Sequence, residues 1–280
     1  MTSFGARLVR AVDERGPICV GIDPHAALLE AWGLPDTIDG LRTFCDTAVA
    51  ALADLVPVLK PQSAFFERFG SAGIAVLEST IRQSRDAGAL VIADVKRGDI
   101  GSTAAAYARA YLHPASPLYA DAITVSPYLG LGSLSPFFDE AAAHGGGVFV
   151  LALTSNPEGP QLQHARTAAG RTVAQTVLDD VADRNEGARP VGSVGVVIGA
   201  TTGGTGHNLG RLNAPVLAPG LGAQGGAAAD LAVVFDGLNG LVLPSYSREI
   251  LARGPSVGAL REAAERSLID CRKVLRNPDL

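Results

Sequence analysis

Two of the chain's three lysines, Lys60 and Lys96, stand where apolar runs end, and Lys96 is bracketed by carboxylates in Asp94-x-Lys96-x-x-Asp99. Residues i and i+2 of an extended chain share a face, so Asp94 and Lys96 project together. The loop that follows is expected to bring Asp99 back to the same lysine. A lysine between carboxylates keeps its proton, because opposite charges nearby favour the charged form. That suits it to donate a proton rather than to attack a carbonyl as a neutral amine. Lys60 ends the preceding apolar run and adds a second cation, giving an alternating Asp–Lys–Asp–Lys network. Taken singly, each motif has a plainer reading: a surface ion-pair cluster for 94–99, and a snorkelling side chain for Lys60. Only three of the 23 basic residues are lysine, and two of the three fall here, which favours chemistry.

Other strand-end positions add polar groups of different kinds. The stretch Pro219-Gly-Leu-Gly-Ala-Gln224-Gly-Gly226 opens onto a helical pattern, and Arg248 follows the next apolar run. Glycines free backbone N–H groups to face an anion, a helix N-terminus adds to this, and arginine supplies a bidentate clamp, so Gln224 and Arg248 read as a phosphate site. Asp23, in Gly-Ile-Asp-Pro-His, is placed to accept bonds from sugar hydroxyls or, more plainly, to cap a helix. Ser155 reads as a ligand contact or as an ordinary turn residue. No His/Cys grouping has metal-ligand spacing, so no metal is expected.

The elements that must position these residues follow a single rhythm. Apolar, strand-like runs at 18–22, 56–59, 89–93, 122–125, 147–153, 194–198, 215–217 and 240–243 alternate with helical stretches at 41–55, 72–87, 103–112, 133–144, 162–184, near Asn208, and at 227–235 and 248–253. Eight βα units imply a (β/α)₈ barrel, in which the C-terminal strand ends share one mouth. The mouth is expected to hold Asp23, Lys60, Asp94, Lys96, Ser126, Thr154, Ser155, Thr201, residues 219–226 and residues 245–248. An amphipathic helix precedes the first strand, and a last helix over 257–275 covers the outer face. No linker or composition shift marks a second domain, so 1–280 is expected to form one.

At 280 residues, with 47% hydrophobic and 18% charged residues, the chain has a globular composition. The net charge of −5 argues against a nucleic-acid face. No apolar run is long enough to span a membrane, and no signal-peptide core is visible. Three scattered cysteines suit reduced thiols in a cytoplasm rather than a disulfide framework.

The motif Asp94-x-Lys96-x-x-Asp99-Ile-Gly-x-Thr103, together with Lys60-Pro-Gln-x-x-Phe-Phe-Glu, resembles the orotidine 5′-phosphate decarboxylase family, in its bacterial branch of longer (type 2) enzymes. The resemblance implies a barrel homodimer without metal or organic cofactor that makes uridine 5′-phosphate. Lys96 would protonate C6 of the pyrimidine as carbon dioxide leaves, with Asp94 beside the departing carboxylate. Lys60 would bridge the network and touch the ribose, and Asp23 would hold a ribose hydroxyl. Asp99 and Thr103 would reach into the partner's site, Ser155 would bond the pyrimidine amide, and Gln224 and Arg248 would grip phosphate. Two other readings stay open: a magnesium-dependent decarboxylase or aldolase of the same barrel superfamily acting on a phosphosugar through an enediolate, and a non-catalytic phosphate-binding scaffold.

Overall fold

The computed structural model describes residues 1–203, 205–223 and 225–275. Helix α1 (Phe4–Arg15) leads into β1 (Cys19–Ile22), α2 (Ala26–Ala31), α3 (Ile38–Leu52) and β2 (Val58–Pro61). The chain continues through α4 (Ala64–Glu67), α5 (Gly70–Asp86), β3 (Leu90–Arg97), α6 (Gly101–Leu112), β4 (Ala122–Val125), α7 (Ser135–His144) and β5 (Gly147–Leu153). Helices α8 (Gly159–Gln163) and α9 (Val173–Arg184) precede β6 (Val194–Ile198) and β7 (Ala214–Pro219). Helix α10 (Asp230–Val234), β8 (Gly240–Tyr246), α11 (Arg248–Leu251) and α12 (Val257–Val274) complete the chain. The eight strands close into a barrel in sequence order, each parallel to its neighbours. No helix among the described residues is long and apolar enough to cross a membrane.

Local chemistry sets the helix ends. Ser3, Thr37, Thr172 and Ser256 each accept a hydrogen bond from the third backbone N–H beyond them, satisfying donors that the first turn leaves free. The amphipathic α1 turns its apolar stripe into the bottom of the barrel. Phe4, Leu8, Val9 and Val12 join the inward side chains Cys19, Val58, Ile92, Phe149 and Leu217 in one cluster. Phe4 meets Phe149 edge to face at 5.9 Å. It fits only because residue 147 is glycine, since a Cβ there would lie 2.3 Å from the Phe4 ring. Helix α12 packs against α3 and α11 on the outside, as its pattern predicts.

A buried carboxylate fixes α1 to the wall. Asp121, 2% exposed, pairs with Arg7, lies 3.4 Å from Arg85 and accepts the Val91 N–H at 3.0 Å. Arg7 also donates to the Gly145 carbonyl at 2.8 Å. Arg7→Met keeps most of the stem but removes both contacts, and is expected to cost about 2 kcal/mol, within the range for hydrogen bonds to charged groups. Urea denaturation measures it; an unchanged midpoint would show that α1 is held by apolar contacts alone.

Three helical expectations change. The predicted 162–184 helix is two helices, because Thr167 N–H bonds to Arg171 O at 2.8 Å around Gly170 at φ +80°, and Thr172 then caps a new start. The stretch near Asn208 is a turn in which the Asn208 side chain accepts from Gly210 N–H at 2.9 Å. The predicted 227–235 helix shortens to α10, because the Asp230 carboxylate takes the Ala227 N–H at 2.8 Å and starts the helix late. Strands β3 and β8 run past their apolar cores, through the polar residues that face the mouth.

Candidate active site

Strand β3 leaves regular pairing where its charged residues begin. Ala93 faces Ile123 and Arg97 faces Val125, so four steps along β3 match two along β4. The excess is taken up at Lys96, whose φ of 45° lies in the left-handed region that lysine rarely adopts. Such a residue costs on the order of 1–3 kcal/mol, and persists only where its surroundings fix it. Here the Lys96 N–H donates to Thr124 Oγ1 at 2.9 Å, and Thr124 Oγ1–H donates to Asp94 Oδ1 at 2.8 Å.

Asp94 is the centre of the arrangement. Its Oδ2 accepts from Lys60 Nζ at 2.9 Å and its Oδ1 from Lys96 Nζ at 2.6 Å. Lys96 Nζ also reaches Gln62 Oε1 at 3.3 Å. Asp94 and Lys60 are buried, 6% and 5% exposed, whereas the Lys96 side chain is 45% exposed and opens to the mouth. Burial by itself would raise the Asp94 pKa, but the two ammonium charges and their hydrogen bonds outweigh it and hold the carboxyl far below the usual range. For Lys60, burial would lower the pKa, and the charges of Asp94 and Asp23 with the Asp94 hydrogen bond reverse that, raising it. Both groups are therefore ionised together, as the sequence pattern implies.

A cavity of about 230 Å³ opens above them. Asp23, Lys60, Asp94, Lys96, Ser155 and Arg248 all line it, so six of the nine predicted site residues meet at one mouth. Asp23 Oδ1 is buried without a hydrogen-bond partner among the described residues, a group that a ligand hydroxyl would satisfy. Arg248, at the start of α11, lies across the barrel from β3, together with the Gly220–Ala223 turn. Helices α10 and α11 have five and four residues, so the helix dipole expected here contributes little, and in the turn the Gly222 N–H is already given to the Gly226 carbonyl at 2.8 Å. Gln224 lies outside the described residues.

Asp99 and Thr103 do not join this chain's cavity. Asp99 Oδ1 accepts its neighbour's Ile100 N–H at 2.8 Å, and Thr103 is exposed on the first turn of α6. The loop does not fold Asp99 back to Lys96 as expected, because Arg97 is held elsewhere. Its guanidinium bonds Glu67 at 2.5 Å and the Val95 carbonyl at 3.0 Å, and its carbonyl accepts the Ser126 N–H at 2.8 Å. Ser126 and Thr201, also expected at the mouth, do not line the cavity. His25 is a helix cap, its Nδ1 accepting from Leu28 N–H.

Thr124 and Gln62 are the contacts that sequence reading missed. Gln62 lay in the Lys60-Pro-Gln motif without a role. Thr124 had one weak signal, a hydroxyl inside an otherwise apolar four-residue strand, 1% exposed.

Comparison with known proteins identifies the family of the chain. Residues 16–263 match the model of the Orotidine 5′-phosphate decarboxylase / HUMPS family. The orotidine 5′-phosphate decarboxylase of Salinispora arenicola is 69% identical over 98% of this chain and 99% of its own length. That of Streptomyces coelicolor is 58% identical over 97% and 98%. A crystal structure of a candidate orotidine 5′-phosphate decarboxylase from Streptomyces avermitilis superposes with a TM-score of 0.96 at 56% identity, covering 99% of this chain and 97% of that one.

Proposed function

The chain belongs to the orotidine 5′-phosphate decarboxylase family and is a carboxy-lyase that converts orotidine 5′-phosphate to uridine 5′-phosphate and carbon dioxide in pyrimidine biosynthesis; from this premise we propose that Lys96 delivers the proton, that no metal or organic cofactor takes part, and that the working unit is a homodimer. The observation that carries the mechanism is one buried carboxylate, Asp94, bridging two ammonium groups at 2.9 and 2.6 Å beneath the cavity.

Breaking the bond from C6 to the carboxylate leaves an electron pair on a ring carbon that has little resonance help. The Lys96 ammonium stabilises that pair and then passes its proton to C6, becoming a neutral amine that solvent recharges through the open mouth. Asp94 beside the substrate carboxylate would raise the ground state by roughly 4 kcal/mol, for charges about 4 Å apart at an effective dielectric of about 20. Enzymes supply roughly 8–23 kcal/mol, so most of the effect comes from stabilising the carbanion. The ribose hydroxyls go to Asp23 and Lys60, the pyrimidine amide to Ser155, and the phosphate across the mouth to Arg248, with Gln224 as its proposed second contact. Binding energy at the remote phosphate then holds the reacting end in place.

The donor set argues against a magnesium-dependent enediolate reaction at this site. A hard divalent cation takes carboxylate oxygens, and both Asp94 oxygens are already engaged by Lys60 and Lys96. Turnover measured by loss of substrate absorbance is expected to be unchanged in excess chelator. A loss that magnesium restores would favour the enediolate reading.

The dimer proposal rests on α6 and its neighbours. Ile100, Tyr128 and Leu129 are 62%, 76% and 52% exposed on the adjoining β3–α6 and β4–α7 connections, beside Asp99 and Thr103. A second copy covering this apolar surface would receive Asp99 and Thr103 in its own site. Mixing inactive Lys96→Ala and Asp99→Ala chains tests it: random exchange is expected to restore about one quarter of wild-type sites, since half the dimers are mixed and each has one intact site. No recovery after exchange would sink the shared site. We further propose that residues 1–280 form one domain, supported by α1 and α12 packing on the barrel. A cytoplasmic setting is proposed from the three buried free cysteines, whose thiols burial pushes up to about 12, 12 and 11 for Cys19, Cys45 and Cys271.

A further inference from the structure

On the barrel's outer wall, away from the mouth, His113 follows the last turn of α6, and Glu140 and His144 lie one turn apart on α7, which packs beside it. Each of the three offers one ligand atom, and these atoms all lie within 4.8 Å of one another. The two imidazole rings meet nearly edge to face, centroids 4.9 Å apart. We propose that His113, Glu140 and His144 form a binding site for a divalent transition cation of the zinc class, separate from the decarboxylase centre.

Geometry carries the assignment. His144 Nε2 is 3.3 Å from Glu140 Oε1, yet Glu140 Oε1 is buried with no hydrogen-bond partner among the described residues. The two atoms are close without the alignment of a hydrogen bond. Bonds of about 2.0–2.1 Å at a tetrahedral angle put two ligands of one zinc ion roughly 3.3 Å apart, so this separation is the one a shared cation requires. A buried carboxylate oxygen without a donor is costly, and a cation satisfies it. Two imidazoles and one carboxylate suit zinc better than calcium or magnesium, which prefer all-oxygen shells. Three protein ligands leave a position for water.

His113 must change tautomer to complete the set. Its Nδ1 accepts the Ala115 N–H at 3.2 Å, so ligation through Nε2 moves the ring proton to Nδ1 and gives up that bond. Binding is therefore weaker than at a preformed structural site. Competing ligands are few. The His207 nitrogens face Thr172 Oγ1 and Thr205 O, His25 caps α2, and the three thiols are buried and held protonated. A bound ion would tie the C-terminal end of α6 to α7, and α6 carries Thr103 at its other end.

The test uses the full chain without a histidine tag, stripped by chelator, dialysed and titrated with zinc against a colorimetric competitor. One zinc per chain is expected, with a rise in thermal midpoint. His113→Ala, Glu140→Gln and His144→Ala are each expected to weaken binding at least about 100-fold, the upper end of what losing even an outer-shell partner costs. All three should keep wild-type circular dichroism and orotidine 5′-phosphate turnover, and His164→Ala should bind zinc as wild type does. Absence of stoichiometric zinc, retention of it by all three variants, or its loss in His164→Ala would overturn the site.

Discussion

Replacing Lys96 by alanine is expected to lower kcat/KM by at least about ten-thousandfold, the upper end of what a positioned general acid contributes. The loss should exceed a proton-transfer effect alone, because the same ammonium stabilises the developing carbanion before the proton moves. The fold should survive: Lys96 has its side chain half in solvent at the mouth, and the buried Asp94 keeps Lys60 as its counter-charge. Residue 96 also sits at a φ of 45°, where lysine and alanine are similarly strained, so backbone relaxation does not separate the two proteins. Single-turnover assays with circular dichroism as control measure both sides. Uridine 5′-phosphate formation by Lys96→Ala at near wild-type rate would remove Lys96 as proton donor.

Asp94→Asn should act on stability as well as on rate. It leaves Lys60, 5% exposed, without its closest counter-charge, and removing one partner of a buried ion pair costs about 3–5 kcal/mol. The pH dependence has a definite sign. The Asp94 pKa is depressed in the folded chain, so its stabilising contribution is complete above the unfolded value of about 4 and is lost as pH falls through the folded one. The Lys60 pKa is raised, so its contribution is complete below about 10.5 and is lost as pH rises through the folded value. Between these limits neither group titrates in the free enzyme, and neither should add a limb to kcat/KM at neutral pH. Urea midpoints of wild type and Asp94→Asn are expected to differ most near pH 7 and to begin converging only below about pH 4, as the depressed carboxyl starts to take up its proton. Equal midpoints at pH 7 would mean that the Lys60–Asp94–Lys96 bridge does not hold the barrel mouth together.

Much of the architecture was legible because it is written in local patterns. A short run of apolar residues closed by polar or turn-forming residues signals a buried strand whatever surrounds it, and all eight strands lie where such runs stand. The motif around Lys96 was legible for a similar reason, since the i, i+2 relation of Asp94 and Lys96 needs only an extended chain. Helices were read less well where a side chain overrode periodicity. Thr172 started its helix late by capping it, and Asp230 by binding the Ala227 N–H ahead of the helix, neither of which a count of apolar spacing registers.

The sequence by itself determined the barrel, the family, and the identity of Lys60, Asp94 and Lys96 as a charged group at strand ends. Tertiary structure decided which strand ends share a cavity and what holds them. Thr124 reaches Asp94 only because β3 slips against β4, and the slip depends on pairing between segments 28 residues apart. Asp99 follows Lys96 by three positions, yet Arg97's bonds to Glu67 and Val95 carry it away from its own chain's cavity. The zinc-class site joins residues of two helices that sequence order separates and packing brings together. Periodicity records the direction of one chain segment at a time, whereas a site is a meeting of segments, fixed only when the barrel closes.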